Sequence, residues 1–280
     1  MAAGPGRPRL DGRVAHRWLA VLAAAIAAAA IGAAPAHAQG TWDTSNQHQM
    51  VPAYLYPDWW NAGNGWYRMC DAMNISAGPS TAIMNPSSGP GTAANGDYQQ
   101  VIGYCHARGQ RVIAYVHSSY AQRPLAEVMA DVDASYAFYP SIDGIFVDEM
   151  SNEPSTLAYY QLLRRHVQSK PGAHIVVGNP GVDAASGWQL DGWAADELVI
   201  FEGTAESYMR WTAPAWALAQ PASRLVNLVH AAGDATTMAQ VCARSKTQNA
   251  GYMYVTDDVL PNPWDTLPAE PYWSSQIGAC

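Results

Sequence analysis

Short apolar runs alternate along the chain with stretches of helical periodicity. The run at 142–147, read IDGIFV, is rich in β-branched residues, which favour an extended backbone. An apolar run of this length is typical of a strand that is buried on both faces, as in a parallel sheet. The next two residues are Asp148 and Glu149, so this predicted strand ends in a pair of carboxylates.

The intervening stretches carry helix signals. Asp97 is placed to cap a helix that ends at Gly109, Pro154 to open one that closes by Gly172, and 235–248 forms a third. Eight strands that alternate with helices predict an α/β fold, a (β/α)8 TIM barrel in a single domain over 50–280. A doubly wound sheet is less favoured, because no Gly-rich phosphate fingerprint is present. The predicted strands are 51–56, 81–84, 111–117, 142–148, 174–178, 197–202, 225–230 and 251–256.

The loops that follow the strands of such a barrel lie at one end, where active sites form. Here these loops are dense in carboxylates, amides, imidazoles and aromatic rings, whereas the opposite loops look like plain connectors. We therefore expect this end to bind a substrate. The residues predicted to bind it are Tyr54, Tyr56, Trp59, Asn85, His117, Tyr120, Asn179, His230 and Asp257.

Several of these side chains have a plainer alternative. His117 and His230 could be neutral imidazoles bonded to backbone carbonyls, and Tyr54 could simply fill the top of the barrel. Aromatic rings in the loops, such as Trp59, suit the faces of sugars. We expect most other tryptophans to pack in the core or against helices, as for Trp193, Trp211 and Trp216.

Composition indicates where the protein acts. Residues 1–38 combine four arginines, an Ala-rich apolar run and an Ala-His-Ala site, which predicts a secretory signal peptide cut after Ala38, followed by a polar lead-in at 39–49. The full chain has a net charge of −8, and without residues 1–38 it has 11 basic and 22 acidic residues. Such a chain is unsuited to nucleic acid or, after cleavage, to an anionic membrane, and suits a neutral or cationic substrate.

All four cysteines follow the predicted signal peptide. An even number in an exported protein predicts two disulfides. Because Cys70 and Cys105 fall in the first two barrel helices, which are neighbours, we pair them, and Cys242 then pairs with Cys280 by default. No paired Cys or His spacing indicates zinc, so we predict neither a metal nor a cofactor.

Five segments also carry a resemblance. In order, they read VPAYLYP, MNPSSGPG, RVIAYVHSSYAQRP, IDGIFVDEMSN and VIFEG. They resemble the spherulin-4-like proteins (spherulation-specific family 4), which are grouped as glycoside hydrolase family 135. The resemblance implies a (β/α)8 barrel that hydrolyses α-1,4-linked polymers of N-acetylgalactosamine and galactosamine, such as galactosaminogalactan. The acids of the family then correspond to Asp148, Glu149 and Glu202.

Glycoside hydrolysis needs two carboxyl groups on either side of the bond that is cleaved. Acids at the ends of the fourth and sixth strands face each other across the barrel mouth. We therefore predict Asp148 as nucleophile, Glu202 as general acid/base, and Glu149 as a group that binds substrate or tunes their pKa values. Which of Asp148 and Glu149 points inward stays open, and so does a plainer interpretation in which both only cap the next helix.

Other functions use the same residues differently. A metal-dependent hydrolase could use Asp148, Glu149, Asp257 and Asp258 as ligands. A non-catalytic polysaccharide-binding barrel would keep the aromatic rings but would not need Glu202. The lysines do not lie at strand ends, which argues against Schiff-base chemistry. The leading prediction is a secreted, monomeric glycosidase without a cofactor, which cleaves an amino-sugar exopolysaccharide internally and with retention of configuration.

Overall fold

The computed structural model describes residues 44, 47–61, 63–73, 78–172, 174–182, 184 and 186–280. The predicted signal peptide lies outside these residues, as does most of the predicted lead-in. Among the described residues, no helix is long and apolar enough to cross a membrane.

Eight parallel strands form a closed barrel, in which each strand pairs with the next one in the sequence and the last pairs with the first. This confirms the predicted (β/α)8 architecture. The strands are β1 (His48–Ala53), β2 (Thr81–Met84), β3 (Arg111–His117), β4 (Gly144–Asp148), β5 (Ile175–Gly178), β6 (Glu197–Thr204), β7 (Leu225–His230) and β8 (Tyr252–Val255).

Helices lie between the strands, and their apolar faces pack against the barrel in two clusters of buried residues. The helices are α1 (Gly65–Ala72), α2 (Gly96–His106), α3 (Leu125–Phe138), α4 (Leu157–Gln168), α5 (Trp188–Asp191), α6 (Ala205–Arg210), α7 (Ala215–Leu218), α8 (Ala235–Thr247) and α9 (Tyr272–Ala279). Single 3₁₀ turns at Pro154–Thr156 and Ala222–Arg224 precede α4 and β7.

Strand β1 begins at His48, three residues before the predicted start at Val51. The prediction began later because the first residues of the strand are polar and were assigned to the lead-in. His48 and Gln49 fall in the predicted polar lead-in, yet both are buried in β1. The backbone N–H of His48 donates to the Gly251 carbonyl, and that of Gln49 donates to the Ser80 hydroxyl. The backbone N–H groups of both residues are thus satisfied inside the barrel, as buried backbone donors require.

The end of the barrel that lies at the amino ends of the strands is closed by a polar group, here called the floor cluster, of Arg111, Glu197 and Tyr252. Arg111 Nη2 lies 3.0 Å from Glu197 Oε1 and 2.6 Å from the Tyr252 hydroxyl. These residues come from β3, β6 and β8, so they meet across the barrel interior. Their contacts establish that Glu197, the first residue of β6, points inward.

A β-bulge in β6 changes which side chains face the interior. The register against β7 pairs Val199 with Val226 and Phe201 with Asn227, which leaves Ile200 as an extra residue. In a regular strand, Glu197 and Glu202 would point to opposite faces, because side chains alternate. The extra residue changes the phase, so Phe201 packs outward against α6 and Glu202 points inward like Glu197.

Two disulfides join helices on the outside of the barrel, as predicted. Cys70 of α1 is bonded to Cys105 of α2, with Cα atoms 5.1 Å apart. Cys242 of α8 is bonded to Cys280, which follows α9, with Cα atoms 4.8 Å apart. The second bridge fastens the end of the chain to the helix between β7 and β8.

Candidate active site

Asp148 is the last residue of β4 and points into the barrel mouth, the end formed by the carboxyl ends of the strands. Its Oδ2 accepts a hydrogen bond from the Tyr115 hydroxyl at 2.8 Å, and its Oδ1 accepts one from Asn179 Nδ2 at 2.9 Å. Tyr115 and Asn179 belong to the two neighbouring positions, on β3 and just after β5. The inward acid of the Asp148–Glu149 pair is therefore Asp148.

Asn179 connects Asp148 to Glu202. Its Nδ2 lies 2.7 Å from Glu202 Oε2, so one amide group donates to both carboxylates. Its Oδ1 accepts from the Gly181 backbone N–H at 3.0 Å, which fixes the orientation of the amide with its NH₂ group toward the acids. We call Asp148, Asn179 and Glu202 the mouth cluster.

Glu202 has a second donor, the side chain of Trp264, which comes from the loop after β8. Trp264 is 6 % exposed and lies edge-on to His230 of β7, with ring centroids 6.0 Å apart. His230 is buried as well, and this burial lowers its pKa, which favours the neutral imidazole. The structure thus places His230 against Trp264, the residue that also donates to Glu202.

The surroundings of Asp148 and Glu202 disfavour the charged form of both carboxyl groups. Burial raises the pKa of Asp148, and hydrogen bonds from Tyr115, the Glu149 backbone and Asn179 oppose this rise. Burial also raises the pKa of Glu202, with Asn179 and Trp264 opposing it and the Asp148 charge adding to it. Paired acids with raised pKa values at a strand-end cleft are typical of catalytic sites.

Glu149 points away from this pair. It has a positive φ of 51°, which is uncommon for a residue with a side chain. Its carbonyl accepts hydrogen bonds from the Tyr120 backbone N–H at 2.7 Å and the Ser118 hydroxyl at 2.8 Å, which hold this conformation. Its carboxylate Oε2 lies 3.5 Å from His117 Nδ1, so Glu149 and His117 form a second, more exposed polar pair beside the mouth cluster.

The interpretation of Asp148 and Glu149 as helix caps is wrong. The 3₁₀ turn at Pro154–Thr156 and helix α4 begin several residues later, and neither acid is the N-cap of these elements. The side chain of Asp148 instead accepts from groups on other strands.

Two tyrosines form the wall of the site on the side of β1 and β3. Tyr54 follows β1, and its ring lies edge-on to that of Tyr115 at 5.6 Å between centroids. Burial raises the pKa of Tyr54, and the charges of Asp148 and Glu202 add to the rise. Tyr54 was predicted, but Tyr115 was missed. The available signal was the alternation of β3, since Tyr115 lies two residues before His117, which was predicted at the site.

Tyr120, in the loop after β3, lies beside Glu149, whose carbonyl accepts from its backbone N–H. Ser119, Tyr120 and Ala121 all have positive φ, between 47° and 66°, and form a left-handed turn. The ring is 49 % exposed, and burial of the hydroxyl together with the charges of Glu149, Asp148 and Glu202 raises its pKa. Three such residues in succession are unfavourable, and conformations of this kind cluster at functional sites.

An open pocket of about 600 Å³ lies beside Glu202. Helix α6 forms one side of it with Ser207 and Arg210, residues that the sequence did not mark as functional. Trp211 also lines the pocket while it stacks on Tyr208 at 5.7 Å, so it combines the predicted packing role with a place in the site. The complete lining is Gly181, Val182, Phe201, Glu202, Ser207, Arg210 and Trp211.

Other predicted residues lie away from the mouth cluster. The Asn85 side chain accepts from the Gly89 backbone N–H at 3.0 Å and so holds the glycine turn after β2. Asp257 is exposed, and its charge acts on Tyr254 and Tyr272. Tyr56 and Trp59 are bonded to Asp97 near the start of α2, whose N-cap is Asn95 rather than the predicted Asp97.

Two further expectations can be compared with the structure. Trp193 was expected to pack in the core or against a helix; it is 69 % exposed, with the Arg164 guanidinium of α4 5.5 Å from its ring centroid, whereas Trp216 packs against the core. Within the part of the chain that the structure describes, no group of three or more His, Cys, Asp or Glu side chains is arranged to hold a metal ion. In particular, Asp258 Oδ2 accepts from the Thr266 hydroxyl at 2.8 Å, so it serves the loop after β8.

Known proteins with related sequences and structures agree with this architecture. Residues 49–280 match the spherulation-specific family 4. Spherulin-4 of Physarum polycephalum is 28% identical over 216 residues, which cover 74% of this chain and 62% of that protein. The matched region is thus less than two thirds of the length of this relative.

The crystal structure of Aspergillus clavatus Sph3 in complex with GalNAc has a similar fold. The TM-score is 0.65 at 24% identity, and the match covers 84% of this chain and 97% of that one. The family match extends over nearly all of the barrel, from the first strand to the last residue. The chain therefore belongs to the spherulation-specific family 4.

Proposed function

We propose that this protein is a secreted glycoside hydrolase that cleaves α-1,4-linked exopolysaccharide of N-acetylgalactosamine and galactosamine, acting within the polymer and with retention of configuration. Asp148 acts as nucleophile and Glu202 as general acid/base. The observation that carries the proposal is the mouth cluster, in which two buried carboxylates share the NH₂ group of Asn179.

The spacing of the two acids supports a retaining mechanism. Because Asn179 Nδ2 lies 2.9 Å from Asp148 Oδ1 and 2.7 Å from Glu202 Oε2, these oxygens can be no more than about 5.6 Å apart. Retaining glycosidases hold their carboxyl groups roughly 5–5.5 Å apart, whereas inverting ones need about 6.5–9.5 Å to admit a water molecule. The shorter separation of a retaining enzyme fits a nucleophile that bonds directly to the sugar.

The hydrogen bonds of the two acids support the assignment of roles. Asp148 accepts from Tyr115, Asn179 and the Glu149 backbone, and these donors favour its ionised form, which a nucleophile requires. Glu202 accepts from Asn179 and Trp264, and the nearby charge of Asp148 further favours its protonated form. Glu202 is thus the better proton donor to the leaving oxygen, and the same group can then activate water in the second step.

The surroundings of the cluster support a sugar as substrate. The pocket beside Glu202 combines the ring of Trp211 with polar groups of Ser207 and Arg210, a mixture that suits the apolar face and the hydroxyls of a sugar. The crystallised relative Sph3 was determined in complex with GalNAc, which supports an amino sugar here. The acidic chain, with 11 basic and 22 acidic residues after residue 38, suits a polymer that is neutral or carries free amines.

Export is supported by the two disulfides, which persist in oxidising compartments. The signal sequence at 1–38 belongs to the same proposal. We also propose that the protein acts as a monomer without a cofactor, since one chain supplies all the groups named above.

The test is to incubate the mature protein with α-1,4-galactosaminogalactan and to follow the products by mass spectrometry and NMR. Internal cleavage should release a range of oligosaccharides from the start, and their new reducing ends should first appear in the α configuration. A variant Glu202→Gln, prepared in parallel, controls for a contaminating enzyme.

Several outcomes would contradict the proposal in distinct ways. Products that first appear in the β configuration would mean inversion and overturn the role of Asp148 as nucleophile. Binding of the polymer without any release of oligosaccharides would identify a binding barrel instead. Loss of wild-type activity with EDTA would point to a metal-dependent hydrolase.

A further inference from the structure

Three large aromatic side chains are exposed together on the loop between β1 and α1. Tyr56 is 52 % exposed, Trp59 41 % and Trp60 63 %. Ring centroids are 6.0 Å apart for Trp59 and Trp60, and 6.4 Å apart for Tyr56 and Trp60. We call these three rings the aromatic platform. A contiguous group of exposed rings in a polar surface usually marks a binding surface.

Polar contacts fix two of the three rings. Asp97 accepts a hydrogen bond from the Tyr56 hydroxyl on one oxygen and from Trp59 Nε1 on the other, the latter at 2.7 Å. Asn95 Nδ2 also donates to the Tyr56 hydroxyl, at 3.2 Å. Tyr56 further lies edge-on to the buried Tyr98, at 6.1 Å between centroids. The rings are therefore held in place before any ligand binds, which reduces the entropy that binding would lose.

The platform is part of the same end of the barrel as the mouth cluster, but on another side. Its rings follow β1 and are held by residues at the start of α2, which follows β2. The acids lie at the ends of β4 and β6, and in an eight-stranded barrel β1 and β5 are on opposite sides. Tyr54, two residues before Tyr56, lies edge-on to Tyr115, whose hydroxyl donates to Asp148, so Tyr54 connects the two regions.

We propose that the aromatic platform is a distal subsite that binds a stretch of the same amino-sugar polymer, several sugar units away from the bond that is cleaved. This inference rests on the proposed function and extends it. A polymer that runs across the mouth from the pocket beside Glu202 would pass Tyr54 and reach the platform. Binding there holds long chains on the enzyme without contacting the reacting atoms.

The platform also carries a negative charge. The Asp97 carboxylate is half-buried beneath Tyr56 and Trp59 and receives only neutral donors from them. A sugar that carries a free, protonated amine is attracted to this charge, whereas an N-acetylated sugar interacts with the rings alone. We therefore expect the platform to bind galactosamine units better than N-acetylgalactosamine units.

The test compares substrates of two lengths. For Trp60→Ala and for the double variant Trp59→Ala/Trp60→Ala, KM for the polymer should rise by about 2-fold to 10-fold for each ring removed. The kcat value, and kcat/KM for the shortest oligosaccharide that the enzyme cleaves, should stay at the wild-type values. The matched control is Trp193→Ala, since Trp193 is also highly exposed but precedes β6, at the other end of the barrel.

The outcomes separate this inference from the proposed function. If the wild type does not cleave the polymer, the proposed function fails. If it does, but the double variant has the wild-type KM for the polymer, the platform is not a subsite. An equal loss on short and long substrates would also overturn the inference, because it would place the rings at the reacting sugar.

A second comparison tests the charge. In Asp97→Asn, the preference for partly deacetylated over fully acetylated polymer should fall, with KM for the deacetylated polymer rising several-fold. An unchanged preference would overturn the role of Asp97 as the amine-binding group. The variant Tyr56→Phe keeps the ring and the charge but removes one hydrogen bond, so it should retain the preference.

Discussion

The barrel interior contains two polar clusters, the floor cluster and the mouth cluster. Both contain buried acids, but only the floor cluster pairs its acid with a cation. In the floor cluster, burial raises the pKa of Glu197, and the charge and hydrogen bonds of Arg111 oppose this rise. In the mouth cluster, the hydrogen-bond donors that the structure gives to Asp148 and Glu202 are all neutral. At the floor, the charge of Arg111 therefore balances that of Glu197. At the mouth, the single side-chain amide of Asn179 donates to both Asp148 and Glu202.

This difference separates stability from function. A buried carboxylate that is paired with a cation connects strands to one another, but the cation favours its ionised form, so it is a poor proton donor. A pair of acids without a cation is unfavourable to bury, because each carboxylate disfavours the charge of the other. Such an arrangement persists in folded proteins mainly where the raised pKa values are needed for catalysis. The predictions below test this division, from the largest expected effect to the smallest.

The largest effect should come from removing either mouth carboxylate. Asp148→Asn and Glu202→Gln keep the size and most hydrogen bonds of the side chains but cannot ionise. We expect kcat/KM for the polymer to fall by about 10²–10⁴-fold or more, because Asp148→Asn loses nucleophilic attack and Glu202→Gln loses proton transfer. Steady-state kinetics on purified, folded protein measures this, with circular dichroism to verify the fold.

Glu149→Gln is the matched comparison for these variants. Because Glu149 lies beside His117 and outside the shared amide, its loss should lower activity less than the loss of Asp148. If Glu149→Gln were inactive while Asp148→Asn kept most of its activity, the roles of the two neighbouring acids would have to be exchanged.

The floor cluster should show the reverse pattern. Glu197→Gln leaves the Arg111 charge buried without its partner, which typically destabilises a protein by about 3–5 kcal/mol. We expect a clear fall in the midpoint of urea unfolding, with the kcat of the protein that remains folded close to the wild-type value. The control Glu206→Gln removes an exposed ion pair with Arg210 and should leave the unfolding midpoint unchanged. Loss of kcat without loss of stability in Glu197→Gln would contradict the division between floor and mouth.

Tyr115→Phe should change the pH dependence of activity. The Tyr115 hydroxyl favours the ionised form of Asp148, so its removal raises the pKa of Asp148 further. The acidic limb of the kcat/KM profile should then move to higher pH, and the loss of activity should be greatest at the acidic end. Hydrogen bonds to charged groups contribute about 1.5–3 kcal/mol, which corresponds to roughly 10-fold to 150-fold.

The control for this shift is Tyr104→Phe. It removes a similar bond, in which the Tyr104 hydroxyl donates to Asp71 at 2.9 Å, but at the surface of α2. Its pH profile should match that of the wild type. An acidic limb that stays in place in Tyr115→Phe would mean that Asp148 is not the group whose ionisation is required.

Sequence patterns were sufficient for the parts of this molecule that depend on local order. The alternation of strands and helices predicted the barrel, and neighbouring helices predicted the bond between Cys70 and Cys105. Asp148 was predicted at the mouth because it directly follows an apolar strand. In each case, the pattern within single elements and the order of the elements along the chain determine the outcome.

The parts that the sequence did not predict depend on contacts between distant segments. Whether Glu202 points inward depends on the bulge at Ile200, which no hydrophobic pattern indicates. Trp264 reaches Glu202 from the loop after β8, which is distant from Glu202 in sequence. Asp97 looked like a helix cap, but it holds Tyr56 and Trp59 of another loop, and this contact also determines where those rings lie.

The smallest effect concerns the stability of the mouth cluster itself. Burial raises the pKa of Glu202, so between its ordinary value and the raised value the folded protein binds more protons than the unfolded chain. The stability of the wild type is therefore highest, with respect to this group, below the ordinary pKa and falls as pH rises through the raised one. Glu202→Gln cannot ionise and avoids this loss.

At neutral pH, Glu202→Gln should thus be more stable than the wild type by about 0.5–2 kcal/mol, or roughly 2–6 °C in Tm. The difference should shrink toward zero as the pH falls to about 4, near the ordinary value for glutamate. The control, Asp234→Ala, should show the opposite sign. Asp234 caps α8 by accepting from the Thr237 backbone N–H, and this bond lowers its pKa, so its contribution is present at neutral pH and lost as pH falls. Thermal unfolding of the three proteins from pH 2.5 to 8 measures both differences, because the Asp234 contribution is lost only below the ordinary pKa of aspartate, about 3.9. If Glu202→Gln behaved like the cap variant, with lower stability at neutral pH, Glu202 would be a structural acid like Glu197, and the contrast between mouth and floor would not hold.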